Sequence, residues 1–168
     1  MIQHHRQPGR PNRPRASRSG VAAVEFALVM PLFITLLLGI WEIGRMVEVS
    51  QIVQNAAREG AREASTATTP LATIQTNVQS YVQGADAGIT NMTGFKVTYA
   101  NLTHPSVTDP TKATQMDKFT ITVTLPFDNV RWTLARLVIP AGAQLQASTT
   151  WYSMADLPVQ VNTTLPTQ

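Results

Sequence analysis

Cysteine is absent from the chain, which excludes disulfides and thiolate-held metals. Histidine is scarce: His4 and His5 lie close to the N-terminus and His104 stands alone. A metal centre needs several converging ligands, and no spacing here supplies them. The acids are scattered singly, so no carboxylate pair for acid–base work is evident. There is no phosphate-binding loop and no nucleophile motif. Neither enzymatic activity nor a cofactor is expected. Charged residues make up only 14% of the chain, and their placement says more than their sum. Of 13 lysines and arginines, five are arginines within Met1–Gly20, where no acid occurs. The other eight face ten acids, so the formal charge of +3 conceals a slightly acidic remainder. A basic tail can bind nucleic acid through phosphates, but no aromatic is interleaved here to stack on bases. No nucleic-acid partner is expected.

A long apolar run comes directly after the arginines. Val21–Trp41 reads VAAVEFALVMPLFITLLLGIW, interrupted by Glu25 and Pro31. About 20 mostly apolar residues cross a hydrocarbon core about 30 Å thick, at about 1.5 Å per helical residue. Arg6, Arg10, Arg13, Arg15 and Arg18 precede the run. Arginine is retained on the cytoplasmic side, so the N-terminus is expected inside a bacterial inner membrane and the rest in the periplasm. No A-x-A cleavage sequence follows the run, as an ordinary secretory signal would require. The small residue that stands out is Gly20, ahead of the run. Cleavage after it would remove the basic leader and leave Val21 as the new N-terminus.

Gly20, then four small or apolar residues, then Glu25-Phe26, resembles the processing site of type IV prepilins of the Flp/Tad class. Asn55-Ala56-Ala57-Arg58-Glu59-Gly60-Ala61-Arg62 is similar to the N-A-x-R-E-G-A-R motif of TadE-like pseudopilins. Val24–Leu32, which includes Pro31, also fits that family. The resemblance covers roughly Arg18–Ala64. It implies a minor pseudopilin that a prepilin peptidase processes and that serves assembly or initiation of an Flp/Tad type IVb pilus. The implied partners are that peptidase, the Tad inner-membrane platform, the major Flp pilin, and other pseudopilins such as a TadF-like chain. The chain length fits either TadE or TadF. The subunit could stay at the pilus base or enter the filament. An uncleaved, membrane-anchored binding or scaffold module is the alternative.

A carboxylate near the bilayer interior costs several kcal/mol, so Glu25 is expected to have a partner. After cleavage the Val21 amine lies at i−4, on the same helix face. It could pair with Glu25 of its own chain or of a neighbour, and the resemblance implies that Glu25 guides assembly. Glu25 could instead rest in the interfacial layer near Arg18. Pro31 removes a backbone donor and is expected to kink or loosen the helix. Beyond the run, Ile43, Met46, Val47, Val53, Ala57, Ala61 and Ala64 recur at helical spacing, so the helix is expected to continue outside the bilayer. Ala56, Ala57, Gly60, Ala61 and Ala64 form a row of small residues that permits close approach of another backbone. That neighbour could be another subunit or the chain's own sheet. Glu59 and Arg62 have the spacing to pair.

From Ser65 the composition turns to Thr, Ser, Asn and Gln. Pro70 is expected at the first position of a second helix, with Leu71, Ile74, Val78 and Val82 on one face. Residues 84–94 read as loop. Phe95–Tyr99, Phe119–Leu125 and Leu145–Tyr152 read as strands. Asn101–Asp117 is a long connector, and Val130–Ile139 a short helix or irregular segment. Asn91, Asn101 and Asn162 fall in N-x-S/T sequences, which Thr and Asn richness accounts for. The expected organisation is a leader at 1–20, a transmembrane and stem helix at 21–66, and an exported domain at 67–168. The fold class is α+β and pilin-like, a long N-terminal helix followed by a short helix and a small, mainly antiparallel sheet.

Overall fold

The computed structural model describes residues 18–86, 88–132 and 138–156. Most of the arginine-rich leader, the middle of Val130–Ile139, and Asn162 lie outside the described residues. The first helix, α1, is Arg18–Ser65, 48 residues long and unbroken across Pro31. The Thr35 hydroxyl donates to the Pro31 carbonyl at 2.8 Å, one turn back. The chain divides into two units after Leu37. In the first, Val21, Val24, Phe26, Leu28, Leu32 and Phe33 are all exposed. A helix that is apolar around its circumference suits lipid rather than a protein core, and α1 is long and apolar enough to cross a membrane.

The second unit is the α+β domain. After α1 come α2 (Leu71–Ala85), β1 (Lys96–Asn101), β2 (Lys118–Pro126) and β3 (Gln144–Tyr152). The strands form one antiparallel sheet in the order β1-β2-β3. Val97 lies opposite Val123 and Tyr99 opposite Ile121. Leu125 lies opposite Leu145 and Val123 opposite Ala147. The strict alternation of β2 turns Phe119, Ile121, Val123 and Leu125 to the core. Its threonines face outward, where Thr120 bonds Thr150 at 2.9 Å and Thr122 bonds Ser148 at 2.8 Å. Onto the inner face pack Ile74, Val78 and Val82 of α2 with Val49, Val53 and the alanines of α1.

Pro70 is the N-cap of α2 rather than its first helical residue. A proline has no side chain with which to cap. Asp109, from the connector between β1 and β2, takes over by accepting from the Leu71 N–H at 3.2 Å. The other oxygen of Asp109 accepts from the Thr111 N–H and hydroxyl, at 2.9 and 2.6 Å. That holds the short 3-10 turn Pro110–Lys112.

The connector is long, yet buried polar groups fix it. Asp117 accepts from the Asn101 amide and the Thr114 N–H, each at 2.9 Å. Its second oxygen meets the His104 ring at 2.7 Å. Asn101 in turn accepts from the N–H groups of Thr103 and His104, at 2.9 and 2.7 Å. Burial alone would raise the Asp117 carboxyl, but hydrogen bonds led by the Thr114 N–H outweigh it and hold it at about 2.

An unfolded aspartate titrates at about 3.9. The folded value is lower, so the stabilisation is complete above that pH and disappears as pH falls through about 2. Asp117→Asn is expected to cost about 1.5–3 kcal/mol, the scale of hydrogen bonds to a charged group. Thermal unfolding of the full chain in detergent across this acid range checks both points. The variant should melt lower at neutral pH and lose less than the native chain on acidification.

Candidate functional site

Gly20 and Val21 lie within α1, and both are exposed. Glu25 and Phe26 follow one turn on, exposed on the helix surface. Glu25 has no hydrogen-bond or ion-pair partner among the described residues.

The motif at 55–62 divides between two faces of α1. Ala56, Ala57, Gly60, Ala61 and Ala64 point inward and are buried. They pack on this chain's own α2 and sheet. A methyl group added at Gly60 would lie 2.9 Å from Val78 Cγ2 and 3.4 Å from Ile121 Cγ2. The absence of a side chain at Gly60 thus sets how near α1 lies to α2 and β2. Asn55, Arg58 and Arg62 point outward and are exposed, with Glu59 beside them at the surface. Arg62 forms a two-pronged pair with Glu59, at 3.0 and 2.5 Å. Arg58 reaches Asn55 at 3.4 Å. Arg62 holds the Glu59 carboxyl below its ordinary range, against a smaller opposing effect of burial. Such a surface pair contributes a few tenths of a kcal/mol.

The expected apolar face of the stem needs correction at its membrane end. Ile43 and Val47 are exposed, while Glu42 and Arg45 are 2% and 3% exposed. The face that enters the core runs Glu42, Arg45, Val49, Val53, Ala56, Gly60 and Ala64, at steps of three and four. Sequence reading passed over the two charged members because an apolar pattern counts only apolar residues. The spacing itself was the available signal.

Both charges have partners of opposite sign. Glu42 forms an ion pair with Arg131, which also meets Asp128 at 3.3 Å. The other Glu42 oxygen accepts from the backbone N–H groups of Val138 and Ile139, at 3.1 and 3.4 Å. Arg45 pairs with Asp86 and, at 3.0 Å, with Glu48. Its Nε donates to the Val130 carbonyl at 3.0 Å, and its guanidinium lies 4.4 Å above the Trp132 ring. Hydrogen bonding from the Gly88 N–H, then from Arg45, keeps Asp86 below its ordinary range despite burial. The base of the stem is thereby tied to the turn after α2 and to the connection between β2 and β3.

The architecture defines a class: a small α+β domain carried on an apolar N-terminal helix that can serve as a membrane anchor. Within that class, the model of a family described as TadE-like protein matches residues 20–62. The N-terminal helix is thus TadE-like, which points to a role connected with the Tad pilus. The match includes Glu42 and Arg45 but ends before their partners Asp86 and Arg131. No curated protein and no solved structure matches the chain. No group of three or more His, Asp or Glu that could hold a metal occurs among the described residues.

Gly60→Val should destabilise the domain by about 1–3 kcal/mol through overpacking. A lowered thermal midpoint of the full chain in detergent would register it. Glu42→Ala should cost about 3 kcal/mol, because it leaves a buried guanidinium short of its main counter-charge. Adding Arg131→Met should recover most of that loss. A double-mutant cycle on the same unfolding transition measures the coupling directly.

Proposed function

We propose that this chain is a minor pseudopilin of an Flp/Tad pilus. A prepilin peptidase cuts between Gly20 and Val21, and the mature helix anchors the subunit in the inner membrane. The N-terminus stays cytoplasmic and the α+β domain periplasmic, where the subunit serves assembly or initiation of the pilus. The chain acts as a substrate of the peptidase and not as an enzyme. Its partners are the peptidase, the Tad inner-membrane platform, the major Flp pilin and a TadF-like pseudopilin. The observation that carries this reading is the coincidence of two motifs. Gly20 and Glu25 lie five residues apart at the head of an apolar run, and the TadE-like match extends from Gly20 through Arg62.

A further feature supports it. Glu25 is exposed on an apolar helix without a partner among the described residues, and the amine released at Val21 would supply one at i−4. The small-residue row is occupied within this chain, so contacts to other subunits fall to the outward faces. These carry Ile40, Ile43 and Val47 towards the membrane, and Asn55, Arg58 and Arg62 further out.

N-terminal sequencing of the protein recovered from membranes, with and without the peptidase, tests processing. A start at Val21 that depends on the peptidase is expected. An intact leader beside an active peptidase would instead favour a permanently anchored scaffold. Glu25→Gln should be inserted and processed normally yet fail to support pilus output. Normal pili from that variant would remove Glu25 from assembly.

A further inference from the structure

Trp41 ends the apolar run and stands next to the buried Glu42. Its ring meets Trp132, from the connection between β2 and β3, edge to face at a centroid distance of 6.2 Å. Both tryptophans are more than half exposed, at 58% and 56%. Val138 comes from the same connection, and its Cγ2 lies 3.2 Å from where a methyl group on Gly39 would be. Val138 and Ile40 are exposed as well. The result is an apolar surface assembled from the end of the run and from a connection almost a hundred residues away, the Glu42–Val138 bond spanning 96 positions. The described charges nearby do not interrupt it. Glu42 and Arg45 are buried in their own pairs, and Arg131 is engaged with Glu42 and Asp128.

We infer that this Trp41–Trp132–Val138 surface is seated in the headgroup layer of the membrane, so that the domain rests on the lipid as well as being tethered by α1. Residues 21–40 at about 1.5 Å each cover about 30 Å, the thickness of a hydrocarbon core, which brings Trp41 to its boundary. Tryptophan favours that boundary because its ring is apolar and its N–H is polar. Trp132 touches Trp41 and therefore lies at the same depth. Val138 packs on Gly39, two residues further into the run. Bare charges at this level would resist contact with lipid, and the ion pairs of Glu42 and Arg45 remove that obstacle. The described charges of this cluster are Glu42, Arg45, Glu48, Asp86, Asp128 and Arg131, acids outnumbering bases. Attraction to anionic headgroups is therefore not the cause, and the seating should be insensitive to salt. The inference rests on the spanning role of Val21–Trp41 and not on the pilus role.

The full chain, in vesicles of phosphatidylethanolamine and phosphatidylglycerol, is compared as three single-tryptophan variants retaining Trp41, Trp132 or Trp151, with phenylalanine at the other two positions. Lipids brominated close to the headgroup should quench Trp132 as strongly as Trp41 and shift its emission to the blue, at low and high salt alike. Trp151, on β3, should remain unquenched. Oxidative footprinting of the unaltered chain in the same vesicles gives an independent reading, with Trp132 protected like Trp41 and Trp151 modified. Vesicle-bound chains whose Trp132 is no better quenched or protected than Trp151 would overturn the seating and leave the span intact. Chains that fail to float with vesicles at all would overturn the span, and the seating with it.

Discussion

The domain is built on a helix face that carries almost no side chain. Along Ala56, Gly60 and Ala64, α1 presents almost no side chain, so the apolar residues of α2 and β2 come down onto the helix itself. Packing of this kind leaves no slack: interiors are filled to crystal-like density, and one added methyl group must displace something. The consequences spread outward from there. Val78 and Ile121 are fixed against α1, and the inner face of the sheet follows the helix. The connector between β1 and β2 is then held over the start of α2 by Asp109 and over the end of the sheet by Asp117.

The same helix meets a second demand at its other end. From Val21 to Leu37 it buries no face, as suits a helix that can serve as a membrane anchor. At Glu42 it must acquire one. The residues that enter the domain there are charged, and each is satisfied by several groups at once. Removing charges from water is costly unless they are paired and hydrogen-bonded. The arrangement therefore does more to specify which turn of α1 meets the domain than to add net stability. A one-residue shift of register would bury Ile43 and expose Glu42, separating it from Arg131.

Much of this was legible in the sequence. The apolar run announces by its length the helix that can serve as a membrane anchor. The alternation in Phe119–Leu125 announces a strand with one face to a core, and β2 extends it by a single residue at each end. The small-residue row was visible too, but not its occupant, since close approach is the same chemistry whether the neighbour is another subunit or the chain's own sheet. Glu42 and Arg45 were missed for a different reason. Their partners Asp86 and Arg131 are distant in sequence, and only the folded chain brings them together. Asp109 was hidden in the same way, behind a proline that looked like an ordinary helix start.

That last contact bears on the order in which the chain can fold. The first amide of α2 is satisfied by a residue 38 positions further along, beyond the whole of β1. Fifteen residues make a helix that is marginal by itself in water. Its beginning is completed only when the connector has closed over it, and the connector is in place only when β1 and β2 have paired. Helix and sheet are thus made mutually conditional, and a partly built domain has little to hold it together. Such long-range dependence slows folding.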